Sequence, residues 1–497
     1  LVNGDSSRQS RPPRLALPAS LAAIAVLTLL LYARSASFGF SYYDDDRLLL
    51  GPGGALESAA EPWSALGRAY FPRGSQDHAY YRPLTSLSFA LDAARSGDDA
   101  GGYHVTNVVV HGVAACLVLL LLRRYRYPAL VALLAALVFV AHPALTATVA
   151  WLPGRDDGLL AIFALTAWLL HPRARAAARP LALAAHALAW LAALCCKEAA
   201  VVLPLVLVLE AHLIDGRSLR DALEPRLLGV WAGTFAVYAA LRFAVLGSDA
   251  GLGSLGEAGL SGSLRALVSG VGELVWPFPP TVLAAPVDMP FWRGLGALAV
   301  MGLVGFWSGA RRRRLLFAGV LYAVLVLPSL PAMRLLLLDS RLYLPAVALT
   351  LFLAELGDRA RGTETQRYGA LSFAVALLAL RVPSALEGFR DRMTFALAAV
   401  RASPRSSLAH KNLGVAYHQA GKIELARREY RAALEHDPLE PTVHNNLGVI
   451  LMAEGRLTEA ERELTRELEL YPDSAEARRN LALVRGARGV SADPLKP

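Results

Sequence analysis

The sequence predicts an all-α protein in two parts: a polytopic membrane region of about eleven transmembrane helices, followed by an α-solenoid of short helical repeats. Three observations lead there. The 497-residue chain is 55% hydrophobic and only 18% charged, against about a quarter charged in ordinary soluble domains. Its apolar residues come in long uninterrupted runs, which need a solvent other than water. Past residue 384 those runs stop, and a charged sequence with a period of thirty-four residues takes over. A water-soluble cytosolic enzyme is excluded.

Residues 1–14 read as a cytoplasmic segment. The first apolar run, about 15–33, is too long and too poor in small-residue cleavage sites for a signal peptide, so it reads as a retained anchor. A first external loop over about 35–102 follows. Further spans are expected near 103–122, 128–145, 157–170, 181–196, 199–214, 226–247, 291–309, 312–330, 341–356 and 368–383. Arginine clusters, such as Arg123, Arg124 and Arg126 or Arg311 to Arg314, mark the inner face, because translocation disfavours cations in short external loops. All of them fall inside if 263–290, rich in glycine and proline, lies on the surface or re-enters without crossing. An odd number of crossings then puts the C-terminus outside.

The net charge of +9 sits between apolar runs and is not interleaved with aromatics, which argues against a nucleic-acid partner. Cys116, Cys195 and Cys196 build no disulfide framework. Only four lysines accompany the arginines, a composition that suggests a GC-rich bacterial genome.

The membrane domain is expected over 15–383 and the repeats over 384–497. Asn412, Leu413, Gly414, Gly421, Ala426, Leu434 and Pro438 recur thirty-four positions later as Asn446, Leu447, Gly448, Gly455, Ala460, Leu468 and Pro472. This is the tetratricopeptide period. Small residues let two antiparallel helices approach, large apolar ones fill between them, and Pro ends the second helix. Full repeats are expected over about 405–438 and 439–472, flanked by half-repeats, and such repeats present a surface to a protein or peptide.

Polar groupings fall at helix ends on the face the charge rule places outside. Asp44, Asp45 and Asp46 follow the first span; Arg82, then His104, come later; His142, Arg155 and Asp157 lie between two spans; Lys197 and Glu198 close another; Arg242 lies near an outer end; Arg341 and Tyr343 open a later span. Each alone reads as a solvated helix end. Together they point to a polar cavity, since ionisable groups near a bilayer are costly unless paired or functional.

The ordered segments FSYYDDDRLLL, YYRPLTSLSFALD, GYHVTNVVVH, HPALTATVAWLPGRDDGLLAIF, CCKEAAVVLPL and SRLYLP resemble those of the transmembrane and tetratricopeptide-repeat O-mannosyltransferases and their bacterial relatives. The resemblance implies a C-type glycosyltransferase (GT-C) fold in a bacterial cytoplasmic membrane, with the active-site loop and repeats on the extracytoplasmic side. It implies inverting transfer of a sugar, mannose in that family, from a polyprenyl-phosphate donor to a protein hydroxyl. A lipid or polysaccharide acceptor, or a non-catalytic scaffold, are the alternatives. One departure is Ala147, where the family usually has Glu after the Thr of its HPxxT motif.

Such a reaction needs a base for the acceptor proton and cations for the leaving phosphate. Asp44 and Asp45 fit the family position of the base, and adjacent carboxylates titrate as a pair, so at most one works as the base. Asp44, Asp45 and Asp46 also admit a divalent metal. Arg82, Arg155, Lys197, Arg242 and Arg341 are candidates for the donor phosphate; His104, His142, Asp157, Glu198 and Tyr343 for the sugar or for support. With no glycine-rich cradle, a soluble sugar nucleotide is not the expected donor.

Overall fold

The computed structural model describes residues 16–71, 80–176, 179–247, 260–278, 282–283, 288, 290–330 and 339–489, and among these it contains helices and no strand. In chain order the helices of the first part begin with α1 (Leu17–Tyr32), α2 (Pro83–Ser96), α3 (Ala100–Arg124), α4 (Ala129–Ala141) and α5 (Thr146–Ala150). Next come α6 (Arg155–Ala174), α7 (Pro180–Cys196), α8 (Leu203–Leu213), α9 (Leu219–Ala222) and α10 (Pro225–Leu246). They continue with α11 (Leu260–Val275), α12 (Phe291–Trp307), α13 (Arg312–Val326), α14 (Ala346–Arg359) and α15 (Glu364–Ala379). The short α16 (Val382–Glu387) leads into the repeats.

Prolines fix several starts. Pro83, Pro180 and Pro225 occupy the first positions of α2, α7 and α10, where the missing N–H has no intrahelical partner to lose. Asp99 caps α3 by accepting from the Gly101 amide, and Thr363 and Gln366 form a reciprocal capping box on α15.

Each of the eleven expected spans contains a helix, but the count of eleven crossings is corrected. Among the described residues four helical stretches are long and apolar enough to cross a bilayer: Leu17–Ser37, Ala100–Arg124, Pro225–Leu246 and Glu364–Glu387. A fifth is obtained if Ala129–Ala141 and Pro143–Ala150, bent by 56°, count as one. Proline and short 3₁₀ turns cut the other apolar runs, so α8, α13 and α14 reach only 11, 15 and 14 residues. A polar first turn, Arg155-Asp156-Asp157, disqualifies α6. Helix α11 is a 16-residue amphipathic segment that packs on α12, with Gly272 and Gly294 at the crossing, and is not among the spans. Residues 1–14, with Arg8, Arg11 and Arg14, and most of 279–289 lie outside the described residues.

The repeat helices are α17 (Arg392–Ala402), α18 (Ser407–Gln419), α19 (Ile423–His436), α20 (Val443–Ala453), α21 (Leu457–Leu470) and α22 (Ala475–Ala487). The pairs α18–α19 and α20–α21 are the two expected full repeats, with α17 and α22 flanking them. The periodic glycines sit where the spacing requires. A Cβ on Gly414 meets the Tyr430 ring at 2.6 Å, and one on Gly448 meets Leu464 at 2.7 Å.

Two of the arginine clusters expected on the inner face are tied to carboxylates of other helices. Arg124, last in α3, reaches Glu210 at 2.9 Å, and Arg311, before α13, reaches Glu355 at 2.7 Å.

Candidate active site

Five elements bring charge to one place. Arg82 stands at the N-cap of α2, Asp156 and Asp157 in the first turn of α6, Lys197 and Glu198 at the α7–α8 break, Arg242 near the end of α10, and Arg341 in the 3₁₀ turn Asp339–Leu342. Arg82 donates to Asp156 at 2.7 Å and to Glu198 at 3.0 Å. Lys197 Nζ lies 2.7 Å from Asp157 and 3.3 Å from Asp156. Arg242 reaches Glu198 at 3.4 Å, and Arg341 lies within electrostatic reach of Asp157, Asp156, Tyr43 and Tyr80. The cations thus interleave with Asp156, Asp157 and Glu198.

The cluster is only slightly open to solvent: the side chains of Arg82 and Lys197 are 12% exposed. Rings of Tyr70 and Tyr80 flank the Arg82 guanidinium, at 4.9 and 4.5 Å from their centroids. Burial works against that cation, and Glu198 and Asp156 more than offset it, so Arg82 is held protonated more firmly than in water.

The three aspartates have three different roles. Asp45 is buried, and its Oδ2 accepts from the Ser41 amide at 2.6 Å, the Ser41 hydroxyl at 2.8 Å and the Tyr42 amide at 3.1 Å. Burial pushes its carboxyl up to about 7, against the pull of those bonds. Asp46 is exposed and starts a short helical turn. Asp44 lies between them, half-buried, with φ of 68°, and Tyr42 has φ of 56°. Two left-handed non-glycine residues in one turn cost about 1–3 kcal/mol each, which the surroundings must supply. Asp44 faces the cluster: burial, then Asp156, and then Asp44 all push the Tyr70 phenol upward.

Four residues expected at the site are elsewhere. Arg155, fully buried, is saturated by Asn107 Oδ1, the Ser88 carbonyl and hydroxyl, the Tyr103 carbonyl and an ion pair with Asp92 at 2.6 Å. It ties α2, α3 and α6 together, with all three guanidinium nitrogens engaged within the chain. His142 bridges the α4–α5 bend to α11, accepting from the Ala144 amide and donating to the Leu274 carbonyl at 2.8 Å. Tyr343 donates to His111 at 2.7 Å inside an aromatic core with Tyr32 and Phe139. His104 packs its edge on Phe38, 3.4 Å from the Gly39 carbonyl. None of the three histidine or tyrosine rings reaches the charge cluster. The sequence reading passed over Asp156, Tyr70 and Tyr80. The Asp156-Asp157 doublet was a signal, since so many converging cations require carboxylates.

Among the described residues no group of three or more His, Cys, Asp or Glu side chains converges as a metal would need. The aspartate run therefore forms no three-carboxylate cage, because Asp45 turns inward on Ser41 while Asp46 points to solvent.

The repeats touch this site. Phe395 of α17 stacks on Tyr43 with centroids 5.7 Å apart, and Arg392 lies 3.8 Å from the Tyr42 ring centroid. The repeat region and the aspartate turn therefore share a side of the molecule.

The tetratricopeptide-repeat family matches residues 395–441, 419–475 and 446–485. Protein O-mannosyl-transferase Tmtc1 of Drosophila melanogaster is 36% identical over 187 residues, 37% of this chain and 21% of that protein. Protein O-mannosyl-transferase Tmtc2 of the same fly is 35% identical over 196 residues, 37% of this chain and 20% of that protein. This chain is similar to the Tmtc protein O-mannosyl-transferases. Mouse TMTC1 adds 33% identity over 181 residues, 34% of this chain and 19% of that protein. The chain thus spans about a fifth of the length of the Tmtc relatives it matches. This chain itself carries helices long and apolar enough to cross a membrane, together with tetratricopeptide repeats.

Proposed function

We propose that the chain is a membrane glycosyltransferase that moves a sugar, mannose by analogy with its relatives, from a polyprenyl-phosphate donor to a hydroxyl of a protein acceptor. The observation that carries this is the slightly exposed cluster of Arg82, Lys197, Arg242 and Arg341 beside a strained turn that presents Asp44. In this reading 15–383 is a GT-C-type membrane domain and 384–497 holds the acceptor. Both the turn and the repeats lie on the extracytoplasmic face of a bacterial cytoplasmic membrane.

Asp44 takes the proton of the acceptor hydroxyl as its oxygen bonds to the anomeric carbon. The bond from that carbon to the phosphate oxygen breaks, and the polyprenyl phosphate leaves with the electron pair. Attack opposite the leaving group inverts the anomeric centre. Lys197 and Arg82 take the developing phosphate charge, at the moment when charge-assisted hydrogen bonds in a poorly hydrated site are strongest. Asp156, Asp157 and Glu198 hold those cations in place before the donor arrives. Asp45 keeps the turn in shape and is not the base. Glycoproteomics of cells with and without the gene tests the reading. Loss of O-linked hexose from a set of exported proteins is expected; an unchanged glycoproteome with altered lipid or polysaccharide glycans would refute a protein acceptor.

A further inference from the structure

We propose that α17 is a working part of the carboxylate turn, with Phe395 and Arg392 acting as positioning residues for Asp44. The inference rests on the reading of Asp44 as the base. The turn is gripped from both sides. From the membrane part, the Trp151 indole donates to the Tyr43 carbonyl at 2.8 Å, and its ring lies 5.8 Å from the Tyr43 ring. From the repeat part, Phe395 covers the other neighbourhood of the same Tyr43 ring, at 5.7 Å and an interplanar angle of 25°. Tyr43 is thus clasped by one aromatic from each part of the chain. Arg392 stands over the ring of Tyr42, a left-handed residue, and the Gly39 amide donates to the Arg390 carbonyl at 2.9 Å.

The sequence of α17 is built for this contact. The Asp391–Thr394 capping box fixes where the helix starts, and so places Arg392 in its first turn and Phe395 one turn on. Phe395 is 3% exposed and shares a core with Trp151, Val149 and Phe38 of the membrane part. On its other face α17 packs Ala396 against Leu413 and Ala416 of α18, the first helix of the first full repeat. A continuous set of packed side chains therefore runs from the repeat surface through α17 to Tyr43 and Tyr42, the two residues that precede Asp44. An unclamped turn relaxes at Tyr42, where a bulky side chain disfavours the left-handed conformation, and Asp44 two residues on shifts with it. An acceptor protein seated on the repeats bears on the base through the same helix.

The test uses the full chain in lipid nanodiscs, with Phe395→Ala and Arg392→Ala beside the conservative Phe395→Tyr and Arg392→Lys. Amide hydrogen exchange and transfer from polyprenyl-phosphate mannose are both measured. Each alanine variant should speed exchange across 39–46 about tenfold and lower kcat about tenfold, with donor KM within about twofold, in keeping with the size of single aromatic and cation–π contacts. Both conservative variants should restore most of the rate. Unchanged exchange in the repeats α20 to α22 reports that the domain is folded. If exchange over 39–46 stays at the wild-type level in both alanine variants, the clamp is refuted whatever the activity. Faster exchange with undiminished kcat refutes the positioning of Asp44. If the wild type transfers no sugar, the reading of the reaction fails, while the exchange result still decides the clamp.

Discussion

Replacing Lys197 separates what its charge does for the fold from what it does for a ligand. Its Nζ lies 2.7 Å from Asp157 and 3.3 Å from Asp156, and both carboxylate side chains are 6% exposed. Lys197→Ala leaves Asp157 without that cation in a poorly solvated place, and stranding one partner of a buried pair costs about 3–5 kcal/mol. Asp156 keeps Arg82 at 2.7 Å, so most of the loss falls on Asp157. Adding Asp157→Asn should recover about 2 kcal/mol or more, because it removes the stranded charge. The double variant also restores the net charge of the cluster. Unfolding midpoints of the four proteins in one detergent measure the coupling. Titration calorimetry with a polyprenyl-phosphate analogue measures the other role. Loss of one charge-assisted hydrogen bond, about 1.5–3 kcal/mol, should weaken binding about 10–100-fold in the single and the double variant alike. A double variant as unstable as Lys197→Ala would refute the ion-pair account. Recovery of binding in the double variant would show that the field of the cluster, and not the Lys197 head group, holds the phosphate.

Asp44→Asn should lower transfer about 10²–10⁴-fold, the usual worth of a general base, with an unchanged unfolding midpoint; near-wild-type turnover would move the base elsewhere. The Asp45 carboxyl is raised in the folded chain from 3.8 to about 7, so its contribution to stability is complete below the unfolded value and is lost as pH rises through about 7. That contribution is on the order of 4 kcal/mol, and protection of the 41–45 amides, after division by the intrinsic base-catalysed exchange rate, should fall from pH 5 to pH 8 in the wild type but not in Asp45→Asn. Gly448→Val, whose Cβ would lie 2.7 Å from Leu464, should destabilise the α20–α21 repeat by about 1–3 kcal/mol, read as faster exchange in those two helices.

Hydropathy located a helix in each of the eleven apolar runs, because an apolar run has few alternatives to a helix, yet it passed over α2 inside the expected external loop and overcounted the crossings. A sliding window averages over the breaks at Pro143, Pro204 or Pro345, whereas the backbone stops at them. Helix-end position likewise brought Arg82, Asp157, Lys197, Glu198, Arg242 and Arg341 to one site. It did not reveal the partners of Arg155, His142 and Tyr343. All three share the same end of the molecule, but their side chains are turned toward partners distant in sequence, Asp92, Leu274 and His111. Adjacent letters also hid the division between Asp44 and Asp45. One is left-handed and the other is not, and the adjoining Tyr43 is contacted by Trp151 and Phe395, each more than a hundred residues away.

The saturated guanidinium of Arg155 bears on how the chain is made. A segment that opens on Arg155, Asp156 and Asp157 is a poor candidate for release from a translocation channel into lipid by itself, since each such charge carries a cost of about 2.5–3.5 kcal/mol at the centre of an inserting helix. The acceptors that neutralise Arg155 on α2 and α3 are synthesised before it, whereas Lys197, the counter-charge for Asp157, follows it after α7. Helices α6 and α7 make the most extensive helix pairing in the molecule. The charges that open α6 therefore find all their partners only once α7 and Lys197 have been made, so the first turn of α6 reaches its final pairing as part of an α6–α7 hairpin.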